Sequence, residues 1–115
     1  MQQRFRLRRR SDITAVYRRG RAWSNDVVVI RALPNERENN RYAFAVSRKV
    51  GSAVVRNRVR RRLREAVRAL PFAAGADVVL IARPVAARLP FSNILAAVRD
   101  CARRAKLLVS AAIRP

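Results

Sequence analysis

The sequence predicts a mixed α/β (α+β) fold in which helices pack on one small sheet, in the order helix, two or three strands, helix, strand, helix. Residues 53–70 and 91–108 repeat apolar side chains at the period of an amphipathic helix. Residues 27–33 form a β-branched run, and residues 42–47 alternate bulky with small side chains, the signatures of strands. The chain has 115 residues, half of them apolar, which suits one domain with a core of its own.

Each element has a local reason. Residues 1–10 form a basic arm expected to fray. Ser11 reads as an N-cap, with Asp12 in the first turn where the helix dipole favours an acid. Ile13, Val16 and Tyr17 make one apolar stripe on a short helix that Gly20 can end. A turn region containing Trp23 leads into the strand at 27–33. The polar, Asn-rich stretch 34–41 reads as a hairpin connection. Tyr42, Phe44 and Val46 then give the next strand a bulky face, and Ala43, Ala45 and Ser47 a small one. Gly51 and Ser52 punctuate before a long helix whose core stripe is Val55, Val59, Leu63, Ala66, Val67 and Leu70, ended by Pro71. Residues 78–82 are a short buried-type strand closed by Pro84. The last helix is expected over 91–108, with Phe91, Ile94, Leu95, Val98, Ala102 and Ala105 on its core face. Residues 109–115 are expected to be a frayed tail, so that 1–115 reads as a single domain.

Charge narrows the chemistry. Lys and Arg number 27 against 7 Asp and Glu, a net charge of +20. Such a density repels itself in a compact state unless a polyanion is close; RNA, DNA or an anionic membrane face would serve. The chain has no histidine, which removes Ser-His and Cys-His triads and the commonest transition-metal ligand. The seven acids are scattered, whereas a protein nuclease needs carboxylates gathered around its metal ions. Cys101, the one cysteine, reads as a small buried hydrophobe. A lone cysteine, with no apolar run long enough to span a bilayer and no secretory signal behind the N-terminal charges, suggests a cytoplasmic protein.

The helix at 53–70 gives the charge an address. At about 100° per residue, Asn57, Arg61, Arg64 and Arg68 fall in one row opposite the core stripe. Arg58 and Arg62 lie on one side of that row, Arg56 and Arg60 on the other, and Glu65 is the helix's one acid. Like charges at i, i+4 cost about 0.2–0.5 kcal/mol each, and several such pairs occur here. A charge run is ordinarily a solvated face; single-sign clustering in a +20 chain favours a phosphate-binding one. Arginine's planar fork suits phosphates. Arg48 and Lys49 add charge beside the helix start, whose free N–H groups also attract anions.

The run Phe44-Ala45-Val46-Ser47-Arg48-Lys49-Val50-Gly51-Ser52-Ala53-Val54-Val55-Arg56-Asn57-Arg58, followed by a basic helix, closely resembles the signature of the bacterial ribonuclease P protein subunit. That signature is an S-x-K-x-G-x-A-V-x-R-N-R core, and the likeness extends over about residues 5–108. The resemblance implies a two-layer α/β sandwich of order α-β-β-β-α-β-α. The strands before Gly51 and near Val79 would be parallel neighbours joined by a left-handed β-α-β crossover, a rare exception to the usual hand. It also implies a surface for the catalytic RNA at Arg48, Lys49, Arg56, Asn57, Arg58, Arg60, Arg61, Arg64 and Arg68. A cleft for the single-stranded 5′ leader of precursor tRNA would be lined by Ile13, Tyr17 and Arg31, where Ile13 and Arg31 stand in place of family aromatics. The loop 34–41, with Glu36 and Glu38, would correspond to a metal-binding region, without its ligands being identified.

By the same resemblance, the chain would be a subunit with no catalytic residues of its own. The RNA would hydrolyse the precursor with Mg2+ that it holds itself. The partners would be the catalytic RNA and the precursor's leader, with no membrane and no obligate protein partner. A small ribosomal or RNA-chaperone protein is the alternative, since composition alone does not separate the two.

Overall fold

The computed structural model describes residues 6–109 of the chain. The elements run α1 (Arg10–Arg19), β1 (Arg21–Ser24), β2 (Val28–Pro34), β3 (Arg41–Ala45), α2 (Ala53–Ala69), β4 (Ala76–Ala82) and α3 (Phe91–Arg104). Short 3-10 turns at Arg48–Val50 and Pro84–Arg88 precede α2 and α3. This is the predicted α-β-β-β-α-β-α order.

The four strands form one sheet in the order β1-β2-β4-β3. β2 is antiparallel to both β1 and β4, while β3 and β4 are parallel, with Tyr42 opposite Val78 and Phe44 opposite Leu80. Parallel neighbours need a crossover, and α2 supplies it.

The alternation of side chains sorts two cores. Val28, Ile30, Tyr42, Val78 and Leu80 face α2 and α3, packing with Val59, Leu63, Val67, Ile94, Val98 and Cys101. Their strand neighbours Leu33, Ala43, Ala45, Val79 and Ile81 face the other way, where Val16 and Ile13 of α1 and Leu7 cover them. Burial raises the pKa of the Cys101 thiol, as befits a side chain enclosed by α3 and β2.

Five local expectations are corrected. The stretch 34–41 joins β2 to β3 but is not a hairpin connection, because β4 lies between those two strands. Helix α1 starts before Ser11: the Arg9 carbonyl accepts the Ile13 amide at 3.1 Å, and Arg9 occupies the cap without a side-chain bond. The expected turn region contains strand β1, because Arg21 to Ser24 pair with Ala32 to Val29 although their own pattern is weak. Residues 6–10 of the basic arm are built in: Arg6 bridges Tyr42, and the Leu7 amide donates to the Tyr42 carbonyl at 2.8 Å with its side chain buried. Residues 1–5 lie outside the described residues. Helix α3 ends at Arg104, four residues early, because Lys106 takes a left-handed φ of 58° and the Leu107 amide returns to the Ala102 carbonyl. The chain then runs beside Pro71 to Ala73, with the Val109 amide donating to Pro71 at 2.7 Å, while residues 110–115 of the expected tail are outside the described part.

Gly20 sits where α1 turns into β1, and its need is for space rather than for an unusual φ. A Cβ there would collide with the carbonyls of Val16 and Ala32.

Candidate nucleic-acid interface

The rotation of α2 is fixed from below. Ser52 caps it, its hydroxyl accepting from the Val55 amide at 3.4 Å, and Val59, Leu63, Ala66 and Val67 are buried against the sheet and α3. Gly51, at φ 153°, admits the sharp entry that brings Arg48 and Lys49 to the surface beside it. With the core side fixed, Asn57, Arg61 and Arg68 are exposed opposite it.

The other arginines of α2 divide into two flanks. On one, the Arg58 guanidinium donates to the Ala87 carbonyl at 3.1 Å and that of Arg62 to Leu89 at 2.8 Å, tying α2 to the 84–89 turn. On the opposite flank, Arg60 donates to the Asn57 side-chain oxygen at 2.9 Å. Arg64 leaves the outer row in which its spacing placed it: it is half-buried, with its guanidinium 5.7 Å from the Phe44 ring centre on β3. Burial is the main influence lowering the Arg64 pKa, and the charges of Arg6 and Arg60 add to it. Arg56 is half-buried at the first turn. Among the described residues, no arginine of α2 makes an ion pair.

The residues expected to line a cleft beside α1 lie on the opposite face of the sheet from α2. Tyr17 projects from the helix, exposed, and Arg31 of β2 reaches it: the guanidinium lies 5.1 Å from the ring centre and donates to the Tyr17 carbonyl at 2.8 Å. Tyr17 and Arg31 are therefore one stacked unit. Ile13 is not part of it; it packs into the apolar cluster of Leu7, Val16 and Val79. Beyond Arg31, the half-buried Val29, Ile81 and Ala45 line up across three strands as a shallow apolar floor.

Three of the seven acids, Asp12, Asp77 and Asp100, hold parts of the fold together. Arg41 makes a two-pronged pair with buried Asp77, at 2.9 and 2.7 Å, and reaches Asp12 of α1 at 3.3 Å. The hydrogen bond to Asp77 is the largest influence raising the Arg41 pKa. This network was missed in the sequence, although an acid at the mouth of an apolar strand is a signal that a partner must exist. Asp100 bonds Asn25, Arg103 and Arg104.

In the loop 34–41, Asn35 accepts the Arg37 amide and donates to Asp77, while buried Asn40 bonds Tyr42, Ala73 and Ala76. Glu36, at a left-handed φ of 58°, and Glu38 are both exposed. No group of three or more metal-ligating acids, histidines or cysteines occurs among the described residues, so this loop does not fit a metal centre made by the chain alone.

An arginine-rich helix face set on this sheet has close relatives. The ribonuclease P family model matches residues 1–106. The chain belongs to the ribonuclease P protein family. The ribonuclease P protein component of Roseiflexus castenholzii is 41% identical over 114 residues, 96% of this chain and 93% of that protein. That of Symbiobacterium thermophilum is 40% identical over 94% of this chain and 96% of its own length. Among solved structures, the Staphylococcus aureus RNase P protein superposes with a TM-score of 0.83 at 27% identity, covering 91% of this chain and 98% of that one. The Thermotoga maritima protein gives 0.77 at 28% identity, covering 86% and 96%. The ribonuclease P protein subunit, rather than a ribosomal or chaperone protein, is therefore the function: a subunit of an endoribonuclease that works with the ribonuclease P RNA and binds precursor tRNA.

Proposed function

We propose a division of surfaces between the two RNA partners. The exposed face of α2, with Asn57, Arg61 and Arg68, together with Arg48 and Lys49, docks on the ribonuclease P RNA. Arg56, Arg60 and Arg64 extend this surface on one flank. Arg58 contributes on the other by holding the 84–89 turn in place as well as by its charge. The observation that supports this reading is a helix with seven arginines and one acid in which, among the described residues, no arginine is ion-paired.

The cleft of Tyr17 and Arg31 takes the 5′ leader of precursor tRNA. Stacking a base on an aromatic side chain is worth about 1–3 kcal/mol, and the Arg31 plane beside Tyr17 offers a second flat surface with a charge for the phosphate. The floor of Val29, Ile81 and Ala45 suits unstacked bases, and Ile13 supports α1 from beneath. Residues 1–115 act as one domain.

Hydrolysis belongs to the RNA and to Mg2+ bound there. The protein's part is to screen phosphate repulsion and position the substrate, work carried out in the cytoplasm; no described helix is long and apolar enough to cross a membrane. Cleavage of a precursor tRNA at low magnesium by the cognate RNA, with and without protein, tests the whole reading. Stimulation is expected, and its absence sinks the proposal. Shortening the leader to one nucleotide should remove most of the protein's effect on substrate affinity and leave its affinity for the RNA unchanged.

A further inference from the structure

Where the N-terminal segment passes α2, four arginines line one cavity whose described wall residues include no acid. The Arg6–Tyr42 bridge and the Leu7 amide bond lay this segment along the outer edge of β3. Arg6 and Arg8 thereby come to one side of a cavity of about 230 Å³, and Arg60 and Arg64 of α2 to the other. Leu7, Tyr42, Ala43 and Phe44 complete the wall. These arginines are far apart in sequence, and nothing in the 44–65 signature includes Arg6 or Arg8.

We propose that this cavity is a phosphate-binding pocket in which Arg6 and Arg64 grip one phosphate group from opposite sides, with Arg8 and Arg60 at its rim. The ligand is a phosphodiester of the RNA that docks on α2, so in this form the pocket rests on the RNA-facing reading of that helix. Three features of the site carry it. Leu7 is buried and its amide is bonded to β3, so the segment bearing Arg6 and Arg8 is held in position rather than trailing in solvent. Arg64 lies over Phe44, which aims its fork toward the cavity edge instead of outward with Arg61. No lining residue is acidic, so the cavity wall supplies no counter-charge for Arg6, Arg60 and Arg64, and an anion entering it relieves their repulsion. The fall in the Arg64 pKa through burial and the nearness of Arg6 and Arg60 is the electrostatic mark of the same crowding. A guanidinium fork matches two phosphate oxygens, and opposed forks select a tetrahedral anion over a planar one.

Two arms test the pocket and its source of phosphate. With the protein alone at low ionic strength, titration of inorganic phosphate should move the backbone amide resonances of Leu7, Phe44 and Arg64, and Arg6→Ala should abolish the effect. With the ribonuclease P RNA, the slope of log affinity against log salt should fall by about 0.7–0.9 in Arg6→Ala, one phosphate contact. Adding Arg64→Ala should lower it no further, because both side chains hold the same group. Phosphate shifts with that coupled loss of slope identify the RNA backbone as the ligand. Phosphate shifts without any change of slope identify a free phosphate compound instead. Absence of both, or slope losses that simply add, overturns the pocket. Failure of the α2 reading shows separately, as an unchanged slope in Arg61→Ala, and leaves the phosphate titration of the protein alone unaffected.

Discussion

Arginine serves opposite ends on the two sides of this sheet. Beside α1, Arg41 is closed into a pair with Asp77 and a longer contact with Asp12, and Arg31 is folded onto Tyr17. Across the sheet, α2 carries seven arginines with Glu65 as its one acid, and among the described residues none of them is ion-paired. The first region uses its charge to hold elements together. The second leaves charge outside the fold, where it destabilises the helix by self-repulsion until a phosphate arrives. The same residue type is a staple in one place and, apart from Arg58 and Arg62, an unfilled valence in the other, and the presence of a fixed acceptor decides which.

Removing one carboxylate from the closed side should have the largest effect. Asp77→Ala strands Arg41, which is mostly enclosed, and breaking such a pair costs about 3–5 kcal/mol. Urea unfolding measures it, and a loss no greater than that of Arg61→Ala would erase the contrast between the sides. Arg58→Ala and Arg62→Ala come next. Each takes a bond from a carbonyl of the 84–89 turn and should cost about 1 kcal/mol by the same measurement. A loss of RNA affinity with unchanged stability would mean that Arg58 acts by its charge alone and would add Arg62 to the binding surface.

Arg61→Ala and Arg68→Ala should change stability by less than about 0.5 kcal/mol, since relief of repulsion and alanine's slightly higher helix propensity are both small gains at exposed positions. Each should reduce the salt slope of RNA binding by about 0.9. An unchanged slope would place them off the interface. The smallest effect concerns Asp100, whose pKa is lowered first by the Asn25 hydrogen bond and then by Arg104 and Arg103. A depressed carboxyl contributes stability that is fully present above its unfolded pKa and lost as pH falls through its folded value. Asp100→Asn should therefore flatten the acid limb of the stability curve below about pH 4. No flattening would mean that the exposed pair contributes nothing.

The sequence reveals most where one periodicity governs a whole element. The α2 stripe from Val55 to Leu70 and the alternation in β3 are both observed, and the basic signature from Ser47 to Arg58 points to the family before any coordinates. Strand β1 escapes because Arg21, Ala22, Trp23 and Ser24 lack an apolar alternation and become a strand by pairing with β2. The end of α3 escapes for the opposite reason. Its helical pattern continues past Arg104, and only the left-handed Lys106 and the docking of Leu107 on Ala73 stop it. Within the site, spacing placed Arg64 outward, but Phe44 on the neighbouring strand turns it inward. The Tyr17–Arg31 stack and the Arg41 network join residues 14 to 36 positions apart, beyond the reach of any local pattern.

The strand order also bears on how the protein is made. β2 and β3 follow one another in the chain yet do not touch as sheet neighbours; β4, synthesised some thirty residues later, inserts between them. Until β4 leaves the ribosome, both flanking strands wait with open edges while most of the arginines of this basic chain have already been synthesised. The nascent chain thus meets a ribosome built of RNA as a polycation before it has a sheet to display its charges on. Its final closure is timed by the arrival of one apolar strand, Ala76–Ala82, which carries a single charge, Asp77. That strand acts as a keystone, and a translational pause placed just before it would lengthen the interval in which the chain is most exposed to the wrong RNA.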